Sequence, residues 1–242
     1  MGRAIRNTNG KRGVIFDLDG VLVDTGSYHK QSWYELAARE GLGMSDELFY
    51  STFGMQNNAI IPILAGRQSF DRLRMVSEVE PVSAEEIERM SEWKERRYRE
   101  LIADKLELME GAQPLLEDLK NNGFLLAIGS SAPRANLDVV LKRCSISDFF
   151  DAFVVGEDVR NSKPSPDTFL KAAEKLKLPP RQCVVVEDSL AGVQAGKAAG
   201  MAVIAITTTR KRRELKDADM IVDSLTELNA NIFNNLLKVI PE

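Results

Sequence analysis

The sequence has few cysteines, no excess of positive charge and no long hydrophobic run. Its 242 residues include only two cysteines, Cys144 and Cys183. Two cysteines cannot form a disulfide framework, so we expect reduced thiols in a cytoplasmic protein. No stretch approaches the roughly 18 apolar residues that a membrane-spanning helix needs, so we expect no membrane partner. The basic N-terminal segment 1–13 also lacks the apolar run of a secretory signal.

The charge balance and composition exclude further classes. Lysine and arginine number 32 against 36 for aspartate and glutamate, a formal net charge of −4 that does not favour nucleic acid as a partner. Hydrophobic residues make up 44% and charged residues 28%, which is typical of a soluble globular protein. The length suits one large domain or a domain with an insertion, and we expect a monomer or a weak homodimer.

Six short apolar runs rich in valine and isoleucine predict strands that are buried on both faces. They are 13–16 (GVIF), 124–129 (FLLAIG), 152–155 (AFVV), 183–187 (CVVVE), 202–206 (AVIAI) and 220–223 (MIVD). Helical patterns lie between many of them, as in 114–123, 133–144, 166–178 and 189–200. Strands that alternate with helices predict an α/β protein with a doubly wound, mostly parallel sheet.

Residues 25–105 interrupt this alternation. The region contains helical patterns and no clear strand pattern, and Ser83 and Glu86 fit a capping box at the start of one helix. Its many charges indicate a helix with one solvated face. We therefore expect a helical module inserted after the first strand, and we expect Asp24 to cap the hinge into that module.

Chemically useful side chains follow several of the predicted strands. They are Asp17, Asp19, Ser130, Ser131, Lys163, Glu187 and Asp188. Each alone has a simpler explanation, because Asp-x-Asp is usually a turn, a serine after a strand is usually an N-cap, and a lysine before proline is usually solvated. In an open parallel sheet, however, ligands bind beyond the carboxyl ends of the strands. Together these residues predict one patch that combines carboxylates, a hydroxyl and an ammonium.

This inventory favours phosphoryl transfer. Crowded carboxylates raise one another's pKa and need compensating charge. A hard cation such as Mg2+ prefers oxygen ligands and binds phosphate oxygens. A dinucleotide-binding oxidoreductase is disfavoured, because segment 17–21 (DLDGV) follows the first strand where a glycine-rich loop is required, and its carboxylates repel a pyrophosphate.

Four segments resemble the four motifs of the haloacid dehalogenase-like superfamily. They are 17–25 (DLDGVLVDT), 130–131 (SS), 163–167 (KPSPD) and 184–201 (VVVEDSLAGVQAGKAAGM), in that order. The inserted module is similar to the helical cap of the phosphatase and β-phosphoglucomutase branch. The resemblance implies a Rossmann-like catalytic core of residues 1–24 and 106–242, and a helical cap of residues 25–105.

The resemblance also implies catalytic roles. Asp17 is expected to be the nucleophile that forms an aspartyl-phosphate. Asp19 is expected to protonate the leaving oxygen and later to deprotonate the attacking water. Ser130 and Lys163 are expected to hold the transferring phosphoryl group of a small phosphorylated metabolite.

A Mg2+ site is implied at the same place. Its expected ligands are Asp17, the backbone carbonyl of Asp19 and Asp188, with Glu187 as direct or water-mediated support. The acidic cluster is then tolerable because Mg2+ and Lys163 neutralise it.

Three further residues, one at the end of the first motif and two in the cap, are expected near the substrate. The family branch with this hinge sequence has Thr25 and His29 at the junction of cap and core, where His29 tunes Asp19. Lys94 matches a cap lysine that reaches the active site, although one charge among many on an exposed helix is an equal alternative. The aromatic residues Trp33, Trp93 and Tyr98 are expected to form the core of the cap.

Two functions share these residues, a Mg2+-dependent phosphatase and a sugar phosphomutase of the β-phosphoglucomutase type. The mutases grip a second phosphate with a cap arginine in Gly-x-Ser-Arg. Here Gln56 and Asn57 stand where Ser and Arg are expected, with Arg67 or Arg72 as candidate substitutes. We therefore expect the phosphatase. The basic run 210–213 (RKRR) is expected to be a solvated loop.

Overall fold

The structure, a computed structural model of the chain, describes residues 10–66 and 81–239. Its strands are β1 (Arg12–Phe16), β2 (Phe124–Gly129), β3 (Ala152–Val154), β4 (Cys183–Glu187), β5 (Ala202–Ile206) and β6 (Met220–Val222). They form one parallel sheet in the order β3-β2-β1-β4-β5-β6. The predicted doubly wound parallel sheet is confirmed, and each observed strand end lies within one residue of its predicted end.

The sheet is buried on both faces. Val14 and Phe16 on β1 pack into one apolar cluster and Ile15 packs into another, and all three are fully buried. Successive side chains of a strand point to opposite faces, so both faces of β1 need an apolar cover. This requirement explains why the strands are continuous apolar runs rather than alternating ones.

Within segment 25–105, the described residues form helices and no regular strand. They are α1 (Gly26–Glu40), α2 (Asp46–Thr52), α3 (Asn57–Gly66) and α4 (Ala84–Ile102). These four helices, called the cap below, share an apolar cluster of their own that includes Trp33, Leu36 and Phe49. The inserted helical module is confirmed, whereas its boundaries at residues 25 and 105 stay a prediction.

Of the two capping predictions, the one for the start of α4 agrees with the structure and the one for the hinge before α1 does not. The predicted box at α4 is present, because Ser83 Oγ accepts from the Glu86 N–H (3.2 Å) and the Glu86 carboxylate accepts from the Ser83 N–H (3.1 Å). The prediction for Asp24 is wrong. Asp24 is exposed, and Thr25 holds the hinge by donating from Oγ1 to Asp19 Oδ1 (2.5 Å).

The remaining helices cover the sheet. They are α5 (Ala112–Asn121), α6 (Arg134–Cys144), α7 (Asp167–Leu176), α8 (Leu190–Ala198) and α9 (Ala230–Val239). Helices α5, α6 and α9 pack on one face, and α7 and α8 pack on the other. No helix within the described ranges combines the length and the apolar character needed to cross a membrane.

Candidate active site

Asp17 lies at the carboxyl end of β1 and is paired with a lysine. Its N–H donates to the Val186 carbonyl on β4 (2.9 Å), so the sheet itself fixes this position. Lys163, in the loop between β3 and α7, is fully buried. Its Nζ donates to Asp17 Oδ1 (2.7 Å), Glu187 Oε1 (2.7 Å) and the Gly129 carbonyl (3.1 Å). The structure therefore brings the predicted lysine into the centre of the predicted acidic cluster.

Burial and charge set the protonation of this pair. Burial raises the pKa of Asp17 to about 7, although the Lys163 ammonium acts in the opposite direction. Burial alone would lower the pKa of Lys163, but its two carboxylate partners outweigh burial and raise that pKa. The lysine is therefore charged at neutral pH, and further positive charge beside Asp17 would favour its ionised form.

Glu187 and Asp188, at the end of β4, differ in how far their oxygens are satisfied. Glu187 Oε2 accepts from the N–H groups of Asp188 (2.8 Å) and Ser189 (2.9 Å), while Oε1 is held by Lys163. Asp188 Oδ2 accepts from Thr209 Oγ1 (2.6 Å), but its Oδ1 is buried without a partner within the described residues. Burial and the neighbouring carboxylates raise the pKa of Asp188 well above its ordinary value.

Three carboxylates at this edge of the sheet could hold a metal ion. Asp17, Glu187 and Asp188 each offer an oxygen, and these oxygens lie within 4.8 Å of one another. Because Glu187 already uses both oxygens, Asp17 and Asp188 have the greater capacity for direct coordination. The unpartnered Oδ1 of Asp188 and the all-oxygen donor set fit a hard cation such as Mg2+.

Ser130 lies at the end of β2 beside this cluster. Its N–H donates to the Val154 carbonyl (3.0 Å), and its Oγ accepts from the Ala132 N–H (3.0 Å). An oxygen that accepts this bond can still donate its own proton. Ser130 and Ser131 both line the pocket that contains Asp17, and Ser131 Oγ is buried without a partner in the described part of the chain.

The Asp19 side chain points away from the acidic cluster and towards the cap. Its Oδ1 accepts from Thr25 Oγ1 (2.5 Å), Tyr98 Oη (3.0 Å) and His29 Nε2 (3.2 Å). Burial acts to raise the pKa of Asp19, but His29 and the other donors outweigh it and lower that pKa to about 2. The expected contact between His29 and Asp19 is present, whereas metal coordination by the Asp19 carbonyl stays a prediction.

Lys94 reaches the same network, so the alternative of an exposed helix face is wrong. The side chain is buried, and its Nζ lies 2.9 Å from both His29 Nδ1 and Glu95 Oε1. An ammonium only donates, so His29 Nδ1 must accept and Nε2 must carry the proton. Lys94 thereby selects the tautomer of His29 that donates to Asp19.

Glu95 continues this chain of contacts into the core. Its Oε1 also accepts from Asn57 Nδ2 (2.8 Å), and its Oε2 accepts from Asn136 Nδ2 on α6 (2.6 Å). Burial would raise the pKa of Glu95, but the neighbouring Lys94 ammonium and the hydrogen bond from Asn136 lower it below its ordinary value. Cap and core are therefore joined through a buried, ionised carboxylate.

Sequence reasoning missed Glu95 altogether and missed half of the role of Tyr98. Tyr98 is fully buried, as expected of a cap core residue, yet its hydroxyl also donates to Asp19. The sequence does contain a signal that Lys94 faces inward. Met90, Lys94, Tyr98 and Ile102 follow one another in α4 at intervals of four residues, and the structure buries all four. That spacing places Lys94 on the inward stripe of the helix.

The pocket between cap and core has a volume of about 60 Å3. The core contributes Asp17, Asp19, Ser130, Ser131 and Ala132, and the cap contributes His29, Trp33, Phe49, Thr52, Phe53, Gly54, Met55, Asn57, Ile60, Lys94 and Glu95. Trp33 is therefore both part of the cap cluster and part of the pocket wall. One wall is acidic and polar, and the other is largely apolar with a few buried polar groups.

The fold and this site define an α/β enzyme whose polar residues lie at the carboxyl edge of a parallel sheet, beneath a helical cap. The sequence pattern of the haloacid dehalogenase-like hydrolases matches residues 11–200. The chain belongs to this family, as its motifs predicted.

Individual relatives agree with this assignment. The chain is 34% identical over 227 residues to the chloroplastic protein SUPPRESSOR OF QUENCHING 1 of Arabidopsis thaliana, covering 90% of the chain but only 20% of that longer protein. It is 31% identical over 188 residues to a phosphorylated carbohydrates phosphatase of Thermotoga maritima, covering 78% of the chain and 81% of the phosphatase. The crystal structure of β-phosphoglucomutase from Clostridium difficile matches with a TM-score of 0.81 at 29% identity, covering 94% of this chain and 97% of that one.

Proposed function

We propose that the protein is a Mg2+-dependent phosphatase that hydrolyses a small phosphorylated metabolite of the sugar phosphate class through an aspartyl-phosphate on Asp17. One observation carries the proposal. Asp17, paired with the buried ammonium of Lys163, lies in one pocket with Ser130 and Asp19. This set supplies a nucleophile, positive charge, a hydroxyl donor and a second carboxylate, which phosphoryl transfer to water requires.

In the first half of the proposed reaction, a carboxylate oxygen of Asp17 attacks phosphorus, and the bond from phosphorus to the metabolite oxygen breaks. Lys163 and Ser130 hold the phosphoryl oxygens, and Asp19 gives a proton to the leaving oxygen. The three donors on Asp19 Oδ1 favour its ionised form. Proton delivery therefore requires that substrate binding weakens at least some of these contacts.

In the second half, a water oxygen attacks phosphorus while Asp19 accepts the proton of that water. The bond from phosphorus to Asp17 breaks, phosphate leaves and the Asp17 carboxylate is restored. The ionised state that His29, Thr25 and Tyr98 favour for Asp19 suits this base role.

Asp17 and Asp188 would hold Mg2+, which when bound supplies positive charge to the phosphoryl oxygens. Positive charge at this position also keeps Asp17 ionised, as a nucleophile must be. Glu187 would support the Mg2+ site indirectly, because its carboxylate holds Lys163 and the backbone N–H of Asp188 in position.

The residues of the cap wall favour a monophosphate substrate, in which the end remote from the phosphate is uncharged and carries hydroxyl groups. The ammonium of Lys94 contacts His29 and is paired with the Glu95 carboxylate, which compensates its charge, so Lys94 attracts a second phosphate only weakly. The Glu95 carboxylate would repel one. Glu95 and Asn57 can instead exchange hydrogen bonds with hydroxyl groups beside the ring of Trp33.

A sugar phosphomutase is the second candidate, because the chain is similar in structure to a β-phosphoglucomutase. Two contacts count against it. Gln56 Nε2 donates to the Gly156 carbonyl (2.8 Å) and Asn57 Nδ2 donates to Glu95, so both side chains serve contacts within the protein and neither carries charge. The candidate substitutes Arg67 and Arg72 lie outside the described residues.

A phosphate-release assay over a panel of phosphorylated metabolites with Mg2+ tests the proposal. It is run beside a coupled assay in which β-glucose 1-phosphate is given with catalytic glucose 1,6-bisphosphate. We expect free phosphate to form faster than glucose 6-phosphate. Asn57→Arg should strengthen bisphosphate binding, because an arginine–phosphate contact is charge-assisted and bidentate. Rapid isomerisation by the unmodified protein without phosphate release would make the mutase assignment correct.

We further propose that the enzyme works in the cytoplasm as a monomer or weak homodimer, with two reduced cysteines. Sedimentation velocity over a range of protein concentrations tests the assembly state. A tight dimer at the lowest concentration would contradict it.

A further inference from the structure

The basic run 210–213 is not a uniform solvated loop. Arg212 pairs with Asp223 (2.9 Å) and donates to the Ile221 carbonyl (2.8 Å). The other three cations line an open groove with a volume of about 540 Å3. These cations are Arg210, Lys211 and Arg213, and Thr208, Thr209 and Glu214 line the groove beside them.

The groove has a surplus of two positive charges, because three cations face a single carboxylate, that of Glu214. Arg210 Nη1 lies 3.5 Å from Glu214 Oε1, at the outer limit of a hydrogen bond. Within residues 10–66 and 81–239, no carboxylate pairs with the side chains of Lys211 or Arg213. The positive charge of the groove is therefore not compensated by the described residues, and a bound anion would compensate it.

Arg210 provides a second, independent indication. Its side chain is only 9% exposed, and its Nε is buried without a hydrogen-bond partner among the described residues. A buried donor without an acceptor is costly, and polar groups in this position are normally satisfied by protein, water or ligand. An anion seated beside the guanidinium would satisfy the unmet donor capacity of Arg210.

The groove is separate from the catalytic pocket but contacts the acidic cluster through Asp188. The two share no lining residue. Thr208 Oγ1 donates to the Gly20 carbonyl (2.5 Å), and Thr209 Oγ1 donates to Asp188 Oδ2 (2.6 Å). One hydrogen bond therefore separates the floor of the groove from Asp188.

We propose that this groove binds a phosphate dianion, either as free phosphate or as the phosphoryl group of a small ester. Two negative charges match the surplus of two positive charges. The planar guanidinium groups of Arg210 and Arg213 suit bidentate contacts to phosphate oxygens, and Lys211 adds a point charge. The inference uses no residue of the catalytic pocket, so it stands apart from the proposed phosphatase activity.

The test is an NMR titration of the full 15N-labelled chain in EDTA, with inorganic phosphate in one arm, glycerol 3-phosphate in a second and potassium chloride in a third. We expect amide signals of residues 207–213 to shift and saturate with phosphate or the ester but not with chloride. Arg213→Gln, at an exposed position, should weaken this response about tenfold, as loss of a charge-assisted contact implies. Lys216→Gln, an exposed control outside the groove, should leave it unchanged.

Tighter binding of the ester or of free phosphate identifies the natural source, and either result supports the site. Shifts that grow linearly without saturation indicate an adventitious ion only and overturn the proposal. Equal losses in the Arg213→Gln and Lys216→Gln variants overturn it too, because they indicate general electrostatic attraction. The signals of residues 130–132 report the catalytic pocket separately, so failure of one site is distinguishable from failure of the other.

Discussion

On the core side of the pocket, the polar side chains are anchored by strands and backbone, whereas on the cap side they are anchored by one another. Asp17 is fixed by a backbone hydrogen bond to β4, and Glu187 accepts two backbone N–H groups. His29, Lys94 and Glu95 form a chain of side-chain contacts. Apart from Asp19, whose side chain is held by donors from the cap, the core wall keeps its geometry by itself, while the cap wall depends on every member of its network.

Asp17 and Asp19 show the same contrast within one turn of chain. Burial among carboxylates raises the pKa of Asp17 to about 7, whereas three donors, two of them from cap helices, lower the pKa of Asp19 to about 2 in spite of burial. Identical side chains two residues apart thus acquire opposite protonation preferences. The surroundings at the end of β1 shift the pKa of Asp17, and donors that include two cap side chains shift the pKa of Asp19.

The largest expected effect lies on the core side. Asp17→Asn should lower kcat by at least about 1,000-fold, because an amide is a poor nucleophile in covalent catalysis. The amide is nearly isosteric with the carboxylate, so the melting temperature should remain close to that of the parent. Turnover near the wild-type rate in a folded variant would remove Asp17 from the nucleophile role.

Metal removal should act on the same wall. EDTA should silence the enzyme, Mg2+ should restore it, and Ca2+ should do so poorly. Mg2+ demands tight octahedral geometry, whereas Ca2+ accepts more ligands at longer distances and would misplace Asp17. Initial rates with each ion at matched concentrations measure this, and full activity of metal-free protein would contradict the proposed site.

Asp19 connects the two walls. Asp19→Asn should lower the rate on an unactivated sugar phosphate by about 100- to 10,000-fold, the usual contribution of general acid–base catalysis. The loss in the first step should be smaller with p-nitrophenyl phosphate, whose leaving group needs little protonation. Pre-steady-state release of nitrophenol measures that step, and equal losses for both substrates would argue against the acid role.

On the cap side, Glu95→Gln should destabilise the protein by about 3 kcal/mol at neutral pH, because it leaves the buried Lys94 without its counter-charge. The pKa of Glu95 is lowered in the folded protein. Its contribution to stability is therefore present above its unfolded pKa and lost as pH falls through the folded value. Urea unfolding of the parent protein and the variant at several pH values should show a difference in the free energy of unfolding that disappears in acid.

Glu100→Gln is the control, since Glu100 is exposed on the same helix and pairs with Arg97 at the surface. We expect it to change stability by less than about 1 kcal/mol. If the loss of stability caused by Glu95→Gln does not depend on pH, or if both substitutions cause equal losses, the proposed stabilisation by the buried ion pair is wrong.

A smaller effect tests how rigidly the core wall is packed. A Cβ added to Gly192 would lie 1.8 Å from the carboxylate of Glu187, whereas one added to Gly43 would have no described atom within 4 Å apart from those of its chain neighbours. Gly192→Ala should therefore cost about 1–3 kcal/mol through overpacking and should also reduce activity by displacing Glu187. Thermal melts and rates beside Gly43→Ala measure this, and equal behaviour of the two would show that Glu187 can move freely.

The two walls also differ in how well the sequence predicts them. Carboxyl ends of parallel strands meet at one edge, so the order of strands and motifs suffices to bring Asp17, Ser130, Lys163 and Asp188 together. The cap wall depends on which face each helix turns inward, and charges obscure that face in α4. Thr25, His29 and Lys94 were found through the family resemblance, whereas Glu95 is a carboxylate that only its buried partners explain.

Trapping the covalent intermediate tests the central claim most directly. Asp19→Asn retains Asp17, Ser130 and Lys163 but lacks the base that activates water, so an aspartyl-phosphate should accumulate on this variant. The variant is mixed with Mg2+ and p-nitrophenyl phosphate, quenched in acid and digested for mass spectrometry. The account predicts a phosphoryl group on the peptide that contains Asp17, in step with nitrophenol release. Nitrophenol release from the folded variant without that adduct, or with the phosphoryl group on another residue, would contradict it.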